Sequence, residues 1–97
     1  MKLLIFAPEA RADLRAIGAY IARDDPARAR SFVNELRTRA AQAAERPLSF
    51  PARDDLAPGL RAILHGRYLI FFRELPDEVR VERLIHGARD LERVLGK

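Results

Sequence analysis

Apolar positions along the chain change period twice. The opening run Lys2 to Phe6 is continuously apolar after its lysine and too short for a helix, so it reads as a first strand. From Pro8 the spacing becomes helical. Leu14, Ile17 and Ile21 fall on one stripe that Ala10 extends backwards, while Arg11, Arg15 and Arg23 lie elsewhere, which predicts a helix over Pro8 to Asp24. Gly18 lowers helix propensity there and permits close approach of a second helix. Asp24-Asp25-Pro26 is the sharpest boundary, because a carboxylate caps exposed N–H groups and proline fits the first helical position. Ala29, Phe32, Val33, Leu36, Ala40 and Ala43 then recur at three- and four-residue spacing, predicting a second helix over Pro26 to Glu45 that forms an antiparallel hairpin with the first.

Arg46 to Pro58 carries three prolines and matches neither period, so it reads as an irregular connector held down by Leu48, Phe50 and Leu56. Beyond Gly59 the period becomes that of strands: Leu60 to His65, a turn at Gly66, Arg67 to Leu75, a turn at Pro76-Asp77-Glu78, and Val79 to His86. Tyr68 to Leu75 is apolar at both parities, as a central strand covered on both faces requires. Gly87 ends the last strand, and Ala88 to Leu95 suits a final helical turn. The order β-α-α-β-β-β over one 1–97 domain predicts an α+β fold, with the helical hairpin on one face of a mainly antiparallel sheet and the other face free for partners.

One strand breaks its own alternation. Val79, Val81 and Ile85 share parity with Arg83, whereas Arg80, Glu82 and His86 share it with Leu84. A bulge between Val81 and Leu84 resolves this by re-aiming Arg83. The alternative leaves Arg83 on the aliphatic face, its head in solvent or paired to an acid such as Glu74.

Composition narrows the chemistry. The chain of 97 residues has no cysteine, which removes disulfide frameworks and thiolate metal sites, and its two histidines, His65 and His86, are too few for a metal cage. Charges interrupt every apolar run, and the N-terminal run is shorter than a signal-peptide core, so a cytoplasmic protein without a membrane span is expected. The net charge is +4, and Lys2 and Lys97 are the only lysines. Arginine pairs bidentately with carboxylate or phosphate, suiting an acidic protein or nucleic acid, although a charged helix face is commonly just solvated.

His65 and His86 end two strands and each precedes a glycine, which suggests an acid–base pair with Arg61, Arg67 and Arg83 as cations for phosphodiester cleavage. The simpler reading is that each caps backbone carbonyls or packs. Arg89-Asp90 forms a local ion pair that pins the C-terminal turn. The aromatic residues are not interleaved with basic ones along the chain, so base stacking is unsupported at this level.

The segments APEARADLRAIGAYIARDDPARARSFVNEL, LAPGLRAILHGRYLIFFR and VERLIHGARDL together resemble the ParE toxins of the ParE/RelE superfamily over nearly the whole chain. Arg73, Arg83, His86, Gly87, Arg89, Asp90 and Leu91 carry the most specific part of the likeness. The resemblance implies a growth-inhibiting, plasmid-stabilising toxin of a type II toxin–antitoxin module that needs no cofactor or metal. Its partners would be DNA gyrase, stalled in its cleaved-DNA state, and a ParD-like ribbon-helix-helix antitoxin through which the complex binds operator DNA. On that reading Arg61, Arg67, Arg83, His86 and Arg89 contact the target, and the region of Leu14, Ile17, Ile21, Phe32 and Leu36 contacts an acidic and apolar antitoxin tail. The alternative is a ribosome-dependent mRNA endoribonuclease of the RelE type, with His86 and Arg83 catalytic. The chain departs from that pattern in having no lysine in its middle region and no tyrosine near its C-terminus. An attenuated toxin that binds its antitoxin and touches neither target is a third possibility.

Overall fold

A computed structural model describes residues 2–87 and 89–91, and the elements follow the expected order. They are β1 (Leu3–Phe6), α1 (Pro8–Ala22), α2 (Pro26–Glu45), a short 3-10 turn at Pro47–Ser49, β2 (Leu60–His65), β3 (Tyr68–Glu74) and β4 (Glu78–His86). Among the described residues no helix is long and apolar enough to cross a membrane. Both helices open on proline, and the Arg28 N–H donates to the Asp25 side chain at 3.0 Å, so the boundary read from Asp24-Asp25-Pro26 is a side-chain cap. Helix α1 stops at Ala22, two residues short of the predicted end, because the Asp24 and Asp25 N–H groups both turn back to the Ile21 carbonyl.

The sheet order is β1-β4-β3-β2, with β1 parallel to β4 and the other pairs antiparallel. The meander thus places β3 and β4 in the centre, and the helical hairpin carries the chain from one edge across the sheet. One large core lies between hairpin and sheet. It contains Leu14, Ile17, Phe32 and Leu36 from the helices and Ile63, Ile70, Phe72, Val79, Val81 and Leu84 from the strands. The Gly18 position lies so close to α2 that an added Cβ would stand 3.3 Å from Val33 Cγ2, the close helix approach expected of that glycine.

The opposite face is not free for partners, as the sequence had suggested. Leu60, Ala62, Phe71 and Ile85 form a second small core there, covered by Leu56 and Ala57 of the connector and by Leu91. The connector also lies along the outer edge of β2, where the Arg53 N–H meets the Leu60 carbonyl and the Ala62 N–H meets the Pro51 carbonyl. Those contacts satisfy an edge that would otherwise be open to another chain.

The bulge is real and falls where the parity conflict required it. Phe71 pairs with Arg83 and Phe72 with Val81, leaving Glu82 as the extra residue on β4. Val81 and Leu84 thereby join the same core despite their odd separation, while Ile85 goes to the other. The Gly66 turn is a two-residue connection with φ of 60° at Gly66 and no positive φ at Arg67, as in a type II′ hairpin. Arg67 therefore belongs to the turn, and β3 starts one residue later than predicted. Of the predicted final turn, Gly87, Arg89, Asp90 and Leu91 are helical, and the rest lies outside the described residues.

Candidate functional site

The bulge aims Arg83 at α1. Strand β1 ends with the Ala7 N–H donating to the Val81 carbonyl, so β4 loses its neighbour beyond that point. Asp13 of α1 takes the vacated place. Its carboxylate accepts from Arg83 Nε at 2.8 Å and Nη2 at 3.0 Å, and from the Leu84 N–H at 2.9 Å. The paired hydrogen bonds that Arg83 donates to Asp13 raise its already high pKa against a smaller desolvation effect. The acid is thus Asp13 rather than Glu74, which instead pairs with Lys2 at 3.3 Å. Nothing in the sequence singled out Asp13, because 70 residues separate it from Arg83.

Two more of the selected arginines have structural work. Arg61 Nη1 donates to the Phe50 carbonyl at 2.7 Å, fastening the connector. Arg73 donates to the Pro58 carbonyl and stands 3.4 Å from the carboxylate of the bulge residue Glu82. Arg67 and Arg89 differ. Both are exposed, and no described residue forms an ion pair with Arg67, while Arg89 forms one with the neighbouring Asp90, at 3.7 Å. A hydrogen bond of 2.9 Å from the Gly87 N–H to the Arg67 carbonyl brings the hairpin turn and the C-terminal turn together.

The two histidines do not form an acid–base pair. They lie on β2 and β4, which are not adjacent, and Tyr68 of β3 stands opposite both. His65 meets Glu35 at 2.9 Å and packs against Phe32. Glu35 also accepts from Arg28 at 2.6 Å, and chiefly that bond, with His65 second, holds its carboxyl below its ordinary range. At His86, Nδ1 accepts the Arg89 N–H at 3.2 Å, so the residue caps the final helical turn. The capped group is an amide donor rather than the carbonyl expected.

Around His86 the fold assembles a groove. Tyr20 of α1, Tyr68 of β3, His86 of β4 and Arg89 line two adjoining cavities of about 300 and 380 Å³, the first reaching Asp13 and Arg83, the second Arg67 and Phe32. Tyr20 is 56% exposed, with the Arg23 and Arg89 guanidinium groups 5.9 and 5.8 Å from its ring centre. The Tyr68 and His86 rings meet edge to face at 5.5 Å. No group of metal-ligating side chains occurs among the described residues.

A larger cavity of about 670 Å³ runs between α1 and α2 on the hairpin exterior, floored by Gly18, Ala19, Ala22, Ala29 and Val33. Arg11, Arg15, Arg30 and Arg37 rim it. The stripe predicted to meet a partner is elsewhere: Leu14, Ile17, Phe32 and Leu36 are buried against the sheet, and Ile21 is half-buried beside them. Apolar periodicity marks whichever face is buried, and here the sheet buries it. Of that stripe only Leu14 also borders the exterior cavity.

The fold is an arginine-rich α+β module with grooves on the hairpin exterior and around His86. Residues 4–91 match the family described as ParE toxin of type II toxin-antitoxin system, parDE, and the chain belongs to that family. In structure it is similar to a chain of the chromosomal ParDE toxin–antitoxin system from P. aeruginosa, at a TM-score of 0.76 and 22% identity, covering 89% of this chain and 96% of that one. No curated protein matches it. The fold expected from the sequence is that of the solved chain, and the toxin–antitoxin assignment rests on the family match.

Proposed function

We propose that this ParE-type toxin acts by binding DNA gyrase and stalling its cleaved-DNA state, and that a ParD-like antitoxin neutralises it in the cytoplasm. One observation carries the choice of binding over catalysis. The cation assigned to a nuclease mechanism is engaged: Asp13 holds Arg83 by two hydrogen bonds, while His86 gives Nδ1 to the Arg89 amide and keeps Nε2. Electrostatic stabilisation of a cleavage step needs a cation not already neutralised, and Arg83 is neutralised by Asp13. Exposed Arg67 and Arg89 and half-buried His86 remain as the contact surface, with Arg83 lining the groove beside them.

The antitoxin fits the exterior cavity of the hairpin. Small residues let a helix or extended segment approach the backbone, and the arginine rim suits an acidic tail, so the partner combines apolar and acidic residues. A ribbon-helix-helix domain on the same antitoxin would carry the complex to operator DNA. The deciding experiment expresses the toxin alone and runs gyrase supercoiling and cleavage assays beside a transcript-integrity assay. Trapped cleaved DNA with intact transcripts is expected. Unaffected gyrase with fragmented transcripts, abolished by His86→Ala, would overturn the reading in favour of the RelE-type endoribonuclease; both targets untouched would mark an attenuated toxin.

A further inference from the structure

Along the chain, aromatic and basic residues are not interleaved; in space they are. Tyr20, Tyr68 and His86 come from α1, β3 and β4, and the folded chain sets Arg23, Arg67 and Arg89 around them. We propose that this groove holds one unpaired nucleic-acid strand, a base lying on exposed Tyr20 and the flanking phosphates on Arg67 and Arg89. The inference rests on the gyrase reading and extends it: the toxin touches the opened DNA of the stalled complex as well as the protein.

The balance of charge supports an anionic occupant. Of the carboxylates in and beside the groove, Asp13 is taken by Arg83, Glu35 by Arg28 and His65, and Asp90 stands 3.7 Å from Arg89. Arg67 and Arg23 have no carboxylate partner among the described residues. An acidic peptide would satisfy the arginines and leave the exposed face of Tyr20 without a stacking partner. A base supplies that partner, because every base has a π-face and stacking tolerates any sequence. Duplex DNA hides its base faces, so the strand must be unpaired. Cavities of about 300 and 380 Å³ suit single bases rather than a helix. The guanidinium groups now over Tyr20 are weakly held at so exposed a site and are free to swing onto phosphates.

Fluorescence anisotropy on the full-length chain tests this with one short labelled sequence offered as single-stranded DNA, as RNA and as duplex DNA. Single-stranded binding is expected. Tyr20→Ala should weaken it about ten-fold, the usual effect of losing one stacked base, and Tyr20→Phe should restore it. Arg67→Gln should lower the slope of log affinity against log salt by about 0.7, one phosphate contact fewer. Preference for DNA over RNA assigns the strand to the gyrase complex, and preference for RNA keeps the groove while assigning it to transcripts. Equal affinity for the duplex, no binding to any strand, or indifference to Tyr20→Ala would each overturn the proposal. The same variants in the gyrase cleavage assay separate the two readings. Strand binding without gyrase trapping sinks the gyrase reading alone, and trapping that survives Tyr20→Ala sinks the groove alone.

Discussion

Asp13 joins three things by one carboxylate: helix α1, the Arg83 head and a Leu84 N–H that no strand accepts. Removing it strands a guanidinium that is only 30% exposed and leaves a ladder donor unpaired. Asp13→Ala should therefore lower stability by about 2 kcal/mol, and Asp13→Asn, which keeps an acceptor, by about 1 kcal/mol. Urea denaturation measures both. Glu35 gives a pH signature of known sign. Its carboxyl titrates below the ordinary range when folded, through Arg28 first and His65 second. The folded state then binds fewer protons than the unfolded chain, so the contribution is complete above the ordinary carboxylate range near pH 4.3 and is lost as pH falls through the folded value. Denaturation across the acid limb should show Glu35→Gln flattening that loss.

At the scale of elements, the extra residue Glu82 lets Val81 and Leu84 meet one core despite their odd separation. Deleting it would remove the bulge yet keep Phe72 opposite Val81 and Ile70 opposite Leu84, so both side chains would stay in the same core. That variant should therefore keep a cooperative melt, and Glu82→Ala, which keeps the count and loses only the contact to Arg73, should melt within a few degrees of the parent. The helical hairpin offers a second test. Gly18→Ala places a methyl 3.3 Å from Val33, where tight contact offsets the gain in helix propensity of about 1 kcal/mol, so little net change is expected. Gly18→Leu cannot fit and should cost about 1–3 kcal/mol by thermal denaturation. The elements themselves were legible because period, proline and capping carboxylate act locally. The bulge was legible too, since a parity conflict is visible in one strand. The parallel placement of β1 beside β4 was not, because no local pattern names a strand's neighbour.

At the scale of the whole molecule, arginine serves two purposes that composition cannot separate. Arg61, Arg73 and Arg83 fasten the connector, the bulge and α1, while Arg15 and Arg30 rim the hairpin cavity in the open. Reversing charge at the latter pair, Arg15→Glu with Arg30→Glu, should weaken antitoxin binding at least ten-fold by calorimetry and leave growth inhibition intact. The periods of the sequence by themselves determined the element order, the α+β class, the buried stripes and the break in β4, and the motifs at Arg73 and His86 to Leu91 marked the family. Only the tertiary structure decided that a second core covers the other face, that Asp13 owns Arg83, and that Tyr20, Tyr68 and His86 share a groove with arginines. Each of these joins residues far apart along the chain, and such contacts are set by how layers pack rather than by any local preference.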